Sequence, residues 1–423
     1  MFLMKRVTWA LLIGIALAGL FSCGGAAATG PVKLTVWAVD PIDVTNVQSA
    51  YVRALVENFQ KANPNITIDW VPFGAAGSAL NDKVKVAMAN DEEPDVLQSW
   101  GGTFMGQFAD AGKLLDMTNE LADIKCSDAA KNAMSWKGKT YGIAPFFAIA
   151  VLFVNQGMFD KMNLTVPKTI AELEAVCDKL KAAGIQPLAS GAMDKWPILH
   201  TYMYLVNRYG GDIFTDAVAR KAKFTDEPFI QAGLKMQEWA KKGYYGTKPL
   251  AEAYGNAQTL LATGKAGMCL TGTWMCGMWS DPKQTTQTIA AYPYPILVGG
   301  KGTAEDLMGM TDVGFIATVK AQDKKDAVSK LFHYAMTVDA LKAETGRVAT
   351  VEGVPAPTKL TGEASAIMAK AKSVQFWWDQ NLPQTMTGPV NDMVQSFLSP
   401  QTDVKAACAN YEKLAEQNLG AVK

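Results

Sequence analysis

Three short runs decide the fold: Lys33-Leu-Thr-Val-Trp37, Ile66-Thr-Ile-Asp-Trp-Val71 and Asp95-Val-Leu-Gln-Ser-Trp100. Each is rich in β-branched or aromatic residues, and the first alternates as a strand does. Between the first two, Val47, Tyr51, Val52, Leu55, Val56 and Phe59 recur at helical spacing. Thr45 and Gln48 form a capping box in front of that helix, and Asn63-Pro64-Asn65 stops it near Lys61. A second helix fits residues 78–90. Strand, helix, strand, helix, strand implies an α/β domain with parallel pairing and right-handed crossovers. In such a sheet ligands bind beyond the carboxyl ends of the strands. Trp37, Asp40, Trp100 and the backbone of Gly101 therefore line one rim of a cleft.

Working outward, the order changes near Tyr141-Gly-Ile-Ala-Pro145, and a strand follows from about Ala148 to Asn155. Thr169 and Glu172 make another capping box, with Ile170, Leu173, Cys177 and Leu180 on one helical face ending at Gly184. Mostly helical sequence continues past Trp239, which shares its helix with Leu234 and Met236 and reads as core. Gly264 to Gly272 is a turn and a short buried strand, and Tyr292-Pro-Tyr-Pro295 reads as a stiff crossing between lobes. Asp312-Val-Gly-Phe-Ile-Ala317 is a further strand. The chain from Glu363 onward is mostly helical, broken at Pro383 and Pro400.

The chain has 423 residues, 49% apolar and 19% charged, with 40 basic and 40 acidic side chains. That length suggests two or three units with sizeable cores, not a disordered chain. The balanced charge argues against nucleic-acid binding, which favours a basic excess. One long apolar run, Val7 to Phe21, follows Lys5 and Arg6 at the start. It is short of the roughly 20 residues that span a bilayer and has the parts of a signal peptide, residues 1–22. Leu20-Phe-Ser-Cys23 is similar to a bacterial lipoprotein processing site, with Cys23 the lipidated residue; Phe21 stands where that pattern usually has a small residue. Residues 23–30 then form a flexible tether that keeps an exported domain beside a membrane, in the periplasm or on the cell surface. The remaining Cys126, Cys177, Cys269, Cys276 and Cys408 are odd in number and show no C-x-x-C. They read as small buried apolar groups, with a Cys269–Cys276 disulfide left open.

No catalytic constellation holds together. Gly264-Lys265 lacks the Ser/Thr and earlier Gly of a phosphate loop, and G-x-S-x-G, H-E-x-x-H and EF-hand spacings are absent. What the sequence does hold is tryptophan at strand ends and in loops. A pyranose offers an apolar C–H face and a polar hydroxyl edge. Flat aromatic rings cover the first at small entropic cost, and carboxylates, amides or guanidinium groups answer the second. Hydrogen bonds to charged groups contribute about 1.5–3 kcal/mol against about 1 for neutral ones.

Leu34-Thr-Val-Trp37, Phe59-Gln-Lys-Ala-Asn-Pro64, Glu93-Pro-Asp-Val96, Lys139-Thr-Tyr-Gly-Ile-Ala-Pro145, Leu152-Phe-Val-Asn155, Lys265-Ala-Gly-Met268 with Gly272-Thr-Trp274, and Gly353-Val-Pro355 stand in one order along nearly the whole exported chain. Together they resemble the extracellular solute-binding proteins, family 1, of carbohydrate ABC transporters. The resemblance implies a two-lobe periplasmic-binding-protein fold, each lobe a mainly parallel sheet flanked by helices, with the ligand cleft between lobes. Lobe one would span 31–144 and 293–345, and lobe two 145–292 and 346–423. It also implies a monomeric carbohydrate receptor without catalysis, cofactor or metal, which delivers its ligand to membrane permease subunits. Carried onto this sequence, Trp274 is the foremost stacking residue. Trp37, Asp40, Trp100 and Gly101 match the first-lobe loops, Asp194 and Trp196 a second-lobe loop, and Asp312 the strand near the second crossing. Trp377 and Asp379 match the C-terminal segment, and Arg347 lies near the Gly353-Val-Pro355 loop, where it could reach a ligand hydroxyl or form a surface salt bridge. Two alternatives stand beside this: the same fold holding a polyol, glycerol phosphate ester or other small polar solute, and an exported carbohydrate-active enzyme, which needs two facing carboxylates.

Overall fold

The computed structural model describes residues 30–42, 49–73, 78–344 and 346–422. The leader, Cys23, most of the tether and the Thr45–Gln48 capping box lie outside the described residues. The strands are β1 (Val32–Ala38), β2 (Ile66–Pro72), β3 (Val96–Gln98), β4 (Ser135–Trp136), β5 (Lys139–Thr140), β6 (Gly142–Ile143) and β7 (Phe146–Asn155). They continue with β8 (Gln186–Ala189), β9 (Ala266–Gly272), β10 (Ile289–Tyr292), β11 (Asp306–Thr311), β12 (Phe315–Ala317), β13 (Val348–Ala349) and β14 (Ser373–Phe376).

The first sheet has the order β2-β1-β3-β12-β6. As the three opening runs predict, β1 pairs parallel with both β2 and β3. The helix Ala50–Ala62 buries Tyr51, Val52, Leu55, Val56 and Phe59, and this stripe packs with Val328, Leu331 and Phe332 of the helix Lys325–Ala335 against one face. Leu80, Val84 and Met88, with Phe104, Met105 and Phe108 of the helix Gly102–Asp110, form the cluster on the other.

The second sheet is built on β7, all ten residues of which are buried. Ala148, Ala150, Leu152 and Val154 enter one core, while Phe147, Ile149, Val151 and Phe153 enter another. Alternate residues of a strand face opposite ways, so an unbroken apolar run is what a strand covered on both faces requires. The expectation of a mainly parallel sheet needs correction here. β8–β9 and β11–β14 are parallel, but β7 runs antiparallel to β9, β10, β11 and β13.

Phe146 marks the entry. It packs in the first lobe's core with its ring 4.7 Å from Tyr51, while its neighbour Phe147 pairs in the second sheet. The return lies elsewhere than at Tyr292-Pro-Tyr-Pro295. Tyr294 stacks on Tyr204 at 4.8 Å within the second lobe's core. Arg208, fully buried, donates to the carbonyls of Tyr294 and Pro295 at 3.1 Å. β11 belongs to the second sheet and β12 to the first, so the chain recrosses at residues 312–314. Residues 293–311 therefore sit with the second sheet, where the expected division placed them with lobe one. The two prolines stiffen this stretch, but the carbonyls of Tyr294 and Pro295 are captured by Arg208 inside one lobe. The five cysteines are free thiols, four of them buried, so the open Cys269–Cys276 pairing does not form; both thiols sit in apolar packing as small side chains.

Candidate functional site

The residues singled out in the sequence fall into three groups beside the crossing segments. The first is aromatic and belongs to the second lobe. β9 ends at Gly272, and Trp274 folds back over that end: a Cβ on Gly272 would lie 2.0 Å from the indole. Trp274 Nε1 donates to the Tyr254 hydroxyl at 2.7 Å, and Tyr254 in turn shares a 2.8 Å bond with Thr271 Oγ1. Trp196 opens the helix Trp196–Gly210, and its ring lies 5.8 Å from Trp274 and 4.6 Å from Tyr254. Trp377 stands edge-on to Trp274 at 5.2 Å. Asp194 joins through its carboxylate, which accepts from the Tyr254 backbone at 2.7 Å. Trp274 and Trp196 keep part of their surface exposed, whereas Trp377 is buried. His200 completes the group, 5.1 Å from Trp377, and burial pushes its pKa down to about 3, leaving a neutral imidazole. His200 Nδ1 and Trp377 Nε1 are buried without a hydrogen-bond partner.

The second group is ionic. Arg347 Nε donates to Asp312 at 2.8 Å, Nη1 to Glu344 at 3.0 Å and Nη2 to Asp40 at 3.1 Å. Three carboxylates thus share one guanidinium, with Arg347, Glu344 and Asp40 buried and the Asp312 side chain only 12% exposed. Burial pushes Asp312 up to about 6, against the pull of Arg347, and raises Asp40 in the same direction. Arg347 itself is held well above its ordinary value: burial opposes its charge, but the three carboxylates outweigh that.

The third group joins the lobes. Trp100 packs against apolar clusters of both, and its carbonyl accepts from Thr311 Oγ1 at 2.7 Å. Gly101 N–H donates to Ser99 Oγ at 3.1 Å just before the helix Gly102–Asp110. Thr103 Oγ1 on that helix lies 3.0 Å from the carbonyls of Gln380 and Leu382 in the second lobe. Asp379, in the same segment, is half-buried and pushed up to about 6 by desolvation, partly offset by the Asn391 amide. Trp37 stands apart from the other tryptophans, its ring tilted on Phe73 at 5.2 Å.

The structure therefore brings Asp194, Trp196, Trp274 and Trp377 into one assembly and Asp40, Asp312 and Arg347 into another. Sequence reading missed His200, Tyr254, Glu344 and Thr311. His200 sits four residues after Trp196 on one helix, a spacing that places side chains together, whereas Glu344 lies beyond the helix Val338–Leu341 and meets Arg347 outside any helical repeat. Tyr254 carries no such local signal.

Two α/β lobes joined by crossing strands, with rings and carboxylates gathered beside the crossing, define a two-lobe binding protein. The chain belongs to the bacterial extracellular solute-binding protein family, whose model matches residues 44–342. It is 27% identical over 237 residues to an uncharacterized ABC transporter extracellular-binding protein of Pyrococcus horikoshii, covering 53% of this chain and 52% of that protein. It is 28% identical over 256 residues to a probable sugar-binding periplasmic protein of Mesorhizobium japonicum, covering 57% and 59%. The chain thus spans between half and two thirds of these two relatives. A multiple sugar-binding protein of Streptococcus mutans matches at 22% identity over 73% of this chain and 72% of its own. Among solved structures, one from work on xylan utilization by Caldanaerobius polysaccharolyticus superposes with a TM-score of 0.82 at 25% identity, covering 90% of this chain and all of that one. A chitin oligosaccharide binding protein gives 0.83 at 22% identity, covering 92% and 99%; this second likeness is one of fold. No helix among the described residues is long and apolar enough to cross a membrane.

Proposed function

We propose that this chain is the substrate-binding component of a sugar ABC transporter: it captures a mono- or oligosaccharide between its lobes and presents it to membrane permease subunits. The assembly of Trp196, Trp274 and Trp377 beside the lobe crossing is the observation that carries this reading. Perpendicular and tilted indoles offer flat faces in more than one direction, which suits the C–H faces of a sugar. The neutral His200, the Trp377 N–H, Asp194 and Asp379 supply polar partners, and Trp100, packed against clusters of both lobes, brings a first-lobe ring to them. The sugar-binding names of the relatives support the same ligand class. The chain acts without chemistry on its guest, as a monomer, exported and anchored through lipid on Cys23.

Bound sugar touching both lobes stabilises the closed arrangement by no more than its differential affinity for the two states. Moving a 1:99 balance to 99:1 takes about 5.5 kcal/mol of that difference. A stacked ring and a few charged hydrogen bonds are of that order. The test is titration calorimetry of Trp274→Ala against a sugar found by thermal-shift screening. Affinity at least tenfold weaker, with the melting temperature nearly unchanged, is the expected result; unchanged affinity removes the site. An enzyme of the same shape would release reducing ends from oligosaccharides on incubation, and a receptor would not.

A further inference from the structure

We propose that Arg347 is a positioning residue of the sugar site, holding the Trp100 and Trp274 segments in register across the lobe crossing without itself touching the guest. The inference rests on the reading that those two tryptophans contact sugar. Arg347 gathers carboxylates from three separate stretches of chain. Asp40 follows β1, Asp312 lies between β11 and β12 where the chain recrosses, and Glu344 follows the last helix of the first lobe. Nε, Nη1 and Nη2 of the guanidinium are thus each engaged by a protein carboxylate.

From this cluster two short paths lead to the tryptophans. Thr311 is adjacent to Asp312, and its hydroxyl donates to the Trp100 carbonyl at 2.7 Å. Gly346 is adjacent to Arg347 and packs on the backbone two residues beyond Met275: a Cβ there would lie 2.2 Å from Gly277 N. The same Gly346 carbonyl accepts from Thr361 Oγ1 at 2.9 Å, which fixes it from the other side. Gly277 belongs to the short helix Cys276–Ser280 that follows Trp274 directly. One buried cation therefore fixes the backbone beneath one tryptophan from each lobe.

Energetics favour a registry role over a stabilising one. Three carboxylates against one cation leave a surplus of negative charge in a dry place, and buried ion pairs are often no more stable than apolar replacements. What such a cluster specifies is which segments meet and at what spacing. A fork with planar, fixed donors does this better than an ammonium, so lysine is no equivalent.

Calorimetry of Arg347→Lys and Thr311→Val against the sugar and its series of deoxy analogues tests the proposal, with melting temperatures and near-ultraviolet circular dichroism of the tryptophans measured in parallel. Arg347→Lys should weaken binding at least tenfold and by the same factor for every analogue, with an altered tryptophan signal in the ligand-free protein. Thr311→Val, which breaks only the Trp100 tether, should weaken binding about threefold or more, again uniformly, and keeps the test open if Arg347→Lys fails to fold. Should one deoxy analogue lose its penalty in Arg347→Lys, the arginine touches that hydroxyl and the proposal is overturned. Unchanged affinity in either folded variant also overturns it. Absence of sugar binding by the unaltered protein defeats the underlying reading instead, and is recognised before any variant is made.

Discussion

An indole lies flat against a strand end only where the strand withholds a side chain, which is what Gly272 does for Trp274. Gly272→Ala places a methyl 2.0 Å from the ring, so the indole must turn away. We predict a loss of sugar affinity approaching that of Trp274→Ala, about tenfold, with the fold intact by far-ultraviolet circular dichroism; unaltered binding would show that the ring's placement is unimportant. Asp312 makes a second prediction. Its folded pKa is pushed up to about 6, above the ordinary carboxyl value of about 3.9 in an unfolded chain. Below about pH 4 both states hold the proton and the stabilisation that goes with the raised value is fully present. Between about 4 and 6 the unfolded chain has released it and the folded one has not, so stability falls as pH rises through that window. Asp312→Asn removes this slope: its melting temperature relative to the parent should rise from pH 4 to pH 7, and a constant difference would contradict the assignment. Gly272 and Trp274 are two residues apart and readable from sequence together. Asp40 and Arg347 are separated by 307 positions, and only the folded chain says that they neutralise each other.

Elements show the same divide between local and distant information. The helix Ala50–Ala62 and the parallel trio β1, β2 and β3 follow from apolar spacing, because those contacts are near in sequence. The pairing directions around β7 do not, since an apolar run reports burial on both faces and is silent about neighbours. The stiffness of Tyr292-Pro-Tyr-Pro295 suggests a crossing; its actual place depends on Arg208 and Tyr204, far earlier in the chain. Tyr204 also binds the sheet together where β7 and β11 part: its hydroxyl donates to Ala150 O at 2.5 Å and accepts from Met308 N at 3.2 Å. Tyr204→Phe leaves both groups buried and unpaired, a cost of about 1–3 kcal/mol, to be read from urea unfolding; a loss under about 0.5 kcal/mol would mean the two strands need no such bridge. The last helix, Val404–Leu419, is fastened by Glu412, which takes Arg220 Nη2 at 2.5 Å and Phe224 N at 2.8 Å. Arg220→Met strands a buried carboxylate and should cost about 3–5 kcal/mol, measured in the same way.

At the scale of the whole molecule, the described residues join the lobes through few direct hydrogen bonds outside the crossing segments. Thr103 on Gln380 and Leu382, and Gln107 on Gln384 at 3.5 Å, are contacts of neutral groups, each worth about 1 kcal/mol. A balance between open and closed forms held by so little is one that a guest touching both sides can shift. The account's central claim is that rings and polar groups from the two lobes grip a sugar and draw the lobes together. Small-angle X-ray scattering of the exported chain, alone and saturated with each of a panel of chito-, xylo- and malto-oligosaccharides and raffinose, tests this most directly. A smaller radius of gyration with at least one of these sugars is the result the account predicts; profiles that superimpose for all of them would contradict it.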